Sequence, residues 1–166
     1  MPYQFTVIPG FYQTVGGGGS ASTSISVASY SDTIGGQAVT STTATVLTDI
    51  TNAVIEDAPY SNSSGVITIS EDGVYEVYVC VGIYGTQFYR YTAELDIRLD
   101  GSMVARQRGV YVRSLSGSNN SYIDCTTIIN VTAGQTIDTT IRRISSTTGT
   151  GETVADTSRI LIKKLQ

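Results

Sequence analysis

The sequence predicts an all-β protein built as an antiparallel β-sandwich, and three observations support this fold class. Residues 93–100 alternate between apolar and charged side chains, which is the period of a half-buried strand. Asp100-Gly101 lies at the end of this run and is a strong signal for a two-residue hairpin. Turn signals separate about eight such runs along the chain, and no stretch shows the helical period, which is the pattern of a sandwich or jelly roll.

The stretch before the central part of the chain, residues 22–60, is predicted to contain two short strands. Ile25 and Val27 indicate the first strand, and residues 44–47 indicate the second. Residues 52–60 carry a mixture of polar and apolar side chains without a clear period. This segment is therefore predicted to be mostly loop, with Val54-Ile55 as a short paired piece.

The longest predicted strand, residues 74–84, follows a short strand at 66–70 and a turn at Glu71-Asp72-Gly73. One of its faces is entirely apolar and is assigned to the core: Tyr75, Val77, Val79, Val81 and Ile83. The other face carries one charge among largely apolar and aromatic residues: Val74, Glu76, Tyr78, Cys80, Gly82 and Tyr84. Because a strand open to water should carry polar residues on that side, we infer that another copy of the chain covers this face.

Four further strands are predicted after the hairpin at Asp100-Gly101, at 102–113, 122–132, 137–144 and 154–166. In the second of these, the inward residues are expected to be Ile123, Cys125, Ile129 and Val131. In the closing strand, Ile160 and Ile162 face one way and Leu161 faces the other. This strand is therefore apolar on both faces, which fits a central position in a sheet.

Four segments resemble the tumour-necrosis-factor and complement-globular-head superfamily of trimeric jelly rolls. They are Thr45 to Asn52, Ala58 to Asn62, Gly65 to Ile69 and Gly73 to Val77. The family pattern is an apolar run, an Asn-Tyr loop, a short strand and a Pro-Gly-Val-Tyr entry to a long strand. Here Asp72-Gly73 stands for the Pro-Gly, and Glu76 replaces an aromatic residue. A weaker similarity extends from about Ser22 to the C-terminus.

The resemblance implies a TNF-like jelly roll that forms a homotrimer, with the last strand in the middle of an inner sheet around a threefold axis. On this basis we predict a trimer interface at Val74, Tyr78, Tyr84 and Leu161. Deletion of residues 158–166 is then expected to prevent folding.

The chain is predicted to divide into an N-terminal arm with its hinge, residues 1–20, and a jelly-roll domain, residues 21–166. The hinge is the flexible glycine run Gly16, Gly17, Gly18 and Gly19. The arm is apolar and aromatic, with its candidate docking residues at Tyr3, Phe5, Val7, Ile8, Phe11 and Tyr12. Such an arm either folds back on its own domain or adds a strand to another protein, and the glycine run favours docking.

Composition argues against several functional classes. Charged residues make up 14% of the 166 residues and the net charge is −4, which argues against a nucleic-acid partner. The chain has no histidine, so His-based triads and metal sites are absent, and we expect no enzyme, cofactor or metal centre. No run is apolar enough for a membrane span and no basic leader precedes Arg90, so neither a membrane partner nor a signal peptide is expected.

Three side-chain groups have alternative interpretations. Cys80 and Cys125 are expected to be buried thiols, and a disulfide is the less favoured alternative. Glu94, Asp96 and Asp100 share a polar face that calcium would suit, although a solvated face is the favoured interpretation. The basic doublets, Arg142-Arg143 and Lys163-Lys164, are expected at solvent-facing strand ends.

Together these features predict a non-enzymatic structural virion protein. It would be made in the host cytoplasm and would lie on the capsid exterior, as a capsid decoration (cement) or head-fibre protein of a tailed bacteriophage. Its partner would be the major capsid protein or another virion protein. The loops at 115–121 and 145–151 are candidate sites for a host-surface ligand. The alternatives are a receptor-binding tip of a phage tail or fibre, and a secreted complement-like ligand-binding head.

Overall fold

The structure is a computed structural model that describes residues 25–39, 43–85, 90–113, 120–144 and 151–166. The predicted arm and hinge, and the predicted domain boundary after residue 20, lie outside the described residues. So do most of the two loops at 115–121 and 145–151.

Within these segments the chain forms twelve β-strands and no helix. In chain order they are β1 (Val27–Asp32), β2 (Thr45–Val46), β3 (Ile50–Glu56), β4 (Tyr60–Ser63), β5 (Val66–Ile69), β6 (Gly73–Gly85), β7 (Arg90–Leu99), β8 (Ser102–Arg113), β9 (Asn120–Val131), β10 (Thr136–Arg143), β11 (Gly151–Thr153) and β12 (Arg159–Lys164).

The strands form two antiparallel sheets. The first, called the inner sheet, has the order β9-β6-β12-β1-β3, and β11 continues the line of β12 beside the end of β6. The second, called the outer sheet, has the order β4-β5-β10-β7-β8, and β2 pairs with β10 beyond β5. The closing strand β12 lies between β6 and β1, which confirms its predicted central position.

The core fills the space between the sheets, where the predicted inward face of β6 is fully buried. Ile160 and Ile162 of β12 lie on the same side, as predicted. Side chains of β5, β7 and β10 meet them from the outer sheet: Ile67, Ile69, Leu95, Ile97, Ile137 and Ile141. Burial of each such side chain stabilises the fold by roughly 1.5–3 kcal/mol. The aromatic rings of Tyr60 and Tyr75 add an edge-to-face contact, with centroids 6.1 Å apart.

The first strand, predicted from Ile25 and Val27, is present as β1, but it begins at Val27, so Ile25 lies before it. The buried residues are Ala28 and Tyr30, whereas Ile25 is 58% exposed. The reason is the register with β12, which places Ala28 opposite Ile162 and therefore turns that position toward the core. In a strand with so few apolar residues, alternation does not show which of the two faces is buried.

The predicted short paired piece at Val54-Ile55 is confirmed as part of β3, but the strand is longer than predicted and covers Ile50–Glu56. Among the described residues it pairs only with β1, so it lies at the edge of the inner sheet, and Val54 and Ile55 are at least half exposed. A strand that buries almost nothing on either face has no need for alternation, so the sequence pattern does not show its full length.

The two ends of the sandwich differ in which elements they bring together. One end, called the base, holds the start of β6, the turn after β9 and the end of β12. There the Ala133 backbone N–H donates to Asp72 Oδ1 at 2.7 Å, which ties two turns together. The described chain starts at Ile25, close to the base, since Val27 pairs with Lys163. The opposite end, called the far end, holds Gly85, Gly151 and the end of β10.

Candidate interaction face on the inner sheet

The face of the inner sheet that points away from the core brings together the predicted interface residues. Val74, Tyr78 and Tyr84 lie along the outward side of β6, and Leu161 lies opposite Tyr78 on β12. We call the outward side of β1, β12, β6 and β9 the inner-sheet face. At about 3.3 Å per residue, Val74 and Tyr84 lie about 33 Å apart along the strand.

Tyr78 lies at the centre of the inner-sheet face. Leu161 is its cross-strand neighbour on one side and Thr126 of β9 on the other. Ser29 of β1 follows Leu161 in the same row. Burial raises the pKa of the Tyr78 phenol, with a further contribution from neighbouring Cys80 and Asp124. The hydroxyl is therefore a neutral hydrogen-bonding group on a largely apolar ring, which is suited to protein contacts.

Large apolar side chains are exposed around this centre. Ile128 of β9 is 62% exposed, Tyr122 of β9 is 57% exposed and Tyr84 of β6 is 39% exposed. Scattered exposed apolar residues are ordinary, but these three all lie on one face of two adjacent strands, with Ile128 toward the base and Tyr122 and Tyr84 toward the far end.

Two rows of the inner-sheet face each carry one positive charge, on β12, and one negative charge, on β6 or β9. Glu76 of β6 lies directly opposite Lys163 of β12 and, on its other side, opposite Ile128. Cys80 lies between Arg159 and Asp124. A face on which both signs are interspersed can meet a second copy of itself without net repulsion.

At Gly82 the turn before β12 packs against the inner-sheet face, because Thr157 lies directly over this glycine. A Cβ atom at Gly82 would lie 2.0 Å from Thr157 Oγ1, so only glycine permits this approach. The turn before β12 is fixed there because the Val154 N–H donates to the Gly82 carbonyl at 3.0 Å. The Thr157 hydroxyl in turn donates to the Val154 carbonyl at 2.6 Å.

The outward side of the outer sheet has the opposite character, because it buries carboxylates beneath arginines. The Glu94 side chain is completely buried and accepts hydrogen bonds from Arg108 and, at 2.5 Å, from Arg142 Nε. Arg106 binds Asp96 through two hydrogen bonds of 2.7 and 2.8 Å. This bidentate contact raises the pKa of the Arg106 guanidinium. A third pair links Arg98 to Asp138 at 2.5 Å. We call these four arginines and three carboxylates the ion ladder.

Two predictions about charged residues are wrong, one on the solvated carboxylate face of β7 and one on the solvent-facing basic doublets. Glu94 and Asp96 are buried, so the expectation of a solvated carboxylate face is wrong, and guanidinium groups occupy the positions around them. Asp100 is exposed and accepts hydrogen bonds from Thr136 and Gln135. Arg142 is a ladder member that is half-buried, and Lys164 is half-buried and pairs with Glu71 at 2.8 Å, so neither is simply solvent-facing.

Cys80 and Cys125 are both free thiols. They lie on adjacent strands, but Cys125 faces the core and Cys80 faces outward, because Cys125 pairs with Val79 in the register. Burial raises the pKa of the Cys125 thiol, which keeps it protonated. Cys125 is buried as predicted, whereas Cys80 is half-buried on the inner-sheet face.

The described segments contain no cluster of three or more acidic or cysteine side chains that is arranged to hold a metal ion. In the same part of the chain there is no helix of the length and apolarity that a membrane crossing requires.

No family model matches the chain, and no curated protein matches it. Solved structures match it in fold. Eiger TNF from S. frugiperda aligns with a TM-score of 0.52 and 16% identity, covering 86% of this chain and 93% of its own. The crystal structure of murine APRIL at pH 8.5 aligns with a TM-score of 0.58 and 13% identity, covering 86% of this chain and 100% of its own. Murine APRIL at pH 5.0 gives a TM-score of 0.53, 12% identity and coverages of 86% and 100%.

These matches confirm the predicted fold. The chain is a TNF-like jelly roll made of two antiparallel sheets. The sequence assigned Val74, Tyr78, Tyr84 and Leu161 to one surface, and they share the inner-sheet face. Ile128 was not among the predicted interface residues, although the prediction that Ile129 faces inward already places its neighbour Ile128 on the outward side. The structure adds that Ile128 lies opposite Glu76 of β6.

Proposed function

We propose that this protein is a non-enzymatic homotrimeric head that assembles through the inner-sheet face. We further propose that it is a capsid decoration (cement) or head-fibre protein of a tailed bacteriophage. In this proposal the head lies on the exterior of the capsid, and its N-terminal arm attaches it to the major capsid protein or another virion protein.

The proposal of a trimer rests on the contrast between the two outward faces. On the outer sheet, a single chain already covers its own polar groups through the ion ladder. On the inner-sheet face, Ile128 and Tyr122 remain more than half exposed around a half-buried Tyr78. Burial of such apolar area against another copy is favourable by roughly 25 cal/mol for each Å² removed from water. The TNF-like fold supports three copies as the number.

The sequence of residues 1–20 supports attachment through the arm. Its alternating aromatic residues suit addition to the edge of another sheet, and its glycine run lets the arm reach away from the head. Three arms in one trimer would act together, so that modest affinity of each arm gives tight attachment. The described chain begins close to the base, so the three arms would leave the trimer from one end.

The test removes residues 1–15 and measures the mass of the product and its attachment to source particles. We expect the truncated protein to remain a trimer and to stop sedimenting with the particles. Full-length protein added to the same particles is the matched control. Attachment of the truncated protein at the full-length level would contradict the role of the arm.

Location on the particle distinguishes the proposed function from its alternatives. Antibody labelling in the electron microscope should decorate the heads evenly. Label confined to a tail or fibre tip would instead favour a receptor-binding tip, and absence from every particle would favour a secreted ligand-binding head.

A further inference from the structure

The outer sheet has a cleft whose walls are mostly arginine. It has a volume of about 350 Å³ and is lined by Arg108, Arg142, Arg143 and Ile144. It lies toward the far end, because Arg142 and Arg108 both pair with Glu94 in the first half of β7, and Arg143 is the last residue of β10. The base, where the described chain begins, is at the opposite end of the sandwich.

Buried Glu94 fixes two of these guanidinium groups in place. Its two carboxylate oxygens accept from Arg108 and Arg142, and its side chain has no exposed surface. Two guanidinium groups carry ten N–H donors between them, since each has five. Two oxygens cannot satisfy ten donors, so Glu94 orients both groups and leaves most of their donors available to other acceptors.

The cleft also holds a surplus of positive charge. Three arginines line it, and Glu94 is the carboxylate that contacts two of them, so two positive charges remain uncompensated by Glu94. The nearest other ladder carboxylate, Asp96, is bound in bidentate fashion by Arg106. On a chain with a net charge of −4, this is a local reversal of sign.

We propose that the arginine cleft binds a single acidic group, a carboxylate or a sulfate, carried by a saccharide. A planar guanidinium suits a carboxylate or sulfate because it donates two parallel hydrogen bonds. Three of the four lining residues are charged, which suits a hydrophilic ligand, and the volume lies at the small end of ligand sites. The negative charge of the whole chain disfavours a long polyanion such as nucleic acid. This inference goes beyond the proposed attachment to a capsid and does not depend on it.

The test measures binding of three probes to the full chain by calorimetry at low ionic strength. The probes are a sulfated heparin-derived tetrasaccharide, tri-galacturonic acid as the carboxylate form, and a neutral cello-oligosaccharide of similar size. We expect saturable binding of one probe per chain for at least one acidic saccharide and none for the neutral one. A preference for either acidic probe identifies the group that the cleft takes.

Variants locate the site. Arg108→Gln and Arg143→Gln each remove one charge from the cleft, whereas Arg98→Gln removes one charge from the same sheet outside it. Loss of a hydrogen bond to a charged group costs about 1.5–3 kcal/mol, so the cleft variants should bind at least about tenfold more weakly. Arg98→Gln should bind as the unmodified chain does. Arg108 is 57% exposed, so its variant keeps the fold even where Arg143→Gln does not.

Three results would overturn the proposal. The first is the absence of saturable binding of both acidic saccharides. The second is an equal loss of affinity in all three variants, which would indicate diffuse electrostatic attraction. The third is tighter binding of a short polyglutamate peptide, used as a fourth probe, than of either saccharide, because this would assign the cleft to acidic proteins.

Discussion

The two outward faces of this sandwich differ in how their charged and apolar side chains are covered. Both belong to strands that also line the core, and both hold half-buried and buried side chains. The outer sheet pairs its own charges, since four arginines neutralise three carboxylates, although it leaves Met103, opposite Arg98, 50% exposed. The inner-sheet face keeps Tyr78 and Leu161 half-buried and leaves Ile128 and Tyr122 exposed. The charges of one face are paired within a single chain, and the apolar side chains of the other are proposed to be covered by further copies.

This difference shows that the burial of a side chain has different consequences for a charged group and for an apolar group. A buried charge requires a partner within hydrogen-bond reach, and the ion ladder supplies one for each carboxylate. An exposed apolar side chain has no such partner in its own chain, and its free energy falls when another surface covers it. The ion ladder is therefore expected to stabilise each chain, and the inner-sheet face is expected to stabilise the proposed assembly.

The largest effect is expected from deletion of residues 158–166, because β12 serves both faces of the inner sheet at once. Ile160 and Ile162 belong to the core, and Leu161 belongs to the inner-sheet face. Loss of β12 would leave β6 and β1 without a shared neighbour, so the chain should not fold. Circular dichroism and thermal melting would test this. A soluble trimeric product with a cooperative melt would contradict the central place of β12.

The next largest effect is expected from Tyr78→Asp, which alters only the inner-sheet face. A carboxylate at the centre of a covered surface would be desolvated in each copy, so the trimer should dissociate while the chain stays folded. Sedimentation should then give a 17.6 kDa monomer. Ser61→Asp adds the same charge at an exposed position of the outer sheet and should leave the assembly unchanged. Equal dissociation in both variants would break the comparison.

A smaller effect is expected from Glu94→Ala, which alters only the ion ladder. It should lower the stability of each chain and leave the assembly unchanged. Removal of one partner from a buried ion pair typically lowers the free energy of unfolding by about 3–5 kcal/mol. Chemical denaturation would measure this loss, and the native mass should not change. Glu71→Ala is the matched control, because it removes the same type of group from an exposed position, where solvent screens its pair with Lys164 and a much smaller loss is expected. Stability that is equal in the two variants would show that the ladder has no special role.

The smallest effect is expected at the base, from Asp100→Asn. Hydrogen bonds from the Thr136 backbone N–H and the Gln135 side chain lower the pKa of the Asp100 carboxyl in the folded chain. Its contribution to stability is therefore present above the unfolded pKa of about 3.9 and is lost as the pH falls through the lower folded pKa. The variant should lose slightly less stability than the unmodified chain on acidification, measured as thermal midpoints. An identical acid dependence would exclude this contribution.

Sequence patterns predicted the parts of the fold that obey a simple period. Residues 74–81 alternate between outward and buried positions, so both faces of β6 and the outward position of Tyr78 could be predicted from the sequence. Only Val54-Ile55 of strand β3 could be predicted, because an edge strand exposed on both faces carries no alternation that shows its full length. Glu94 looks like any solvated acid in the sequence, because its burial depends on arginines 12 to 48 residues away in the chain.

The native mass of the full-length protein is the most direct test of the central claim that the inner-sheet face is an interface between copies. Native mass spectrometry at micromolar concentration should give 52.8 kDa, the mass of three chains of 17.6 kDa. A persistent 17.6 kDa monomer over the same concentration range would contradict the claim. The exposed Ile128 and Tyr122 would then have no partner in a second copy of this chain.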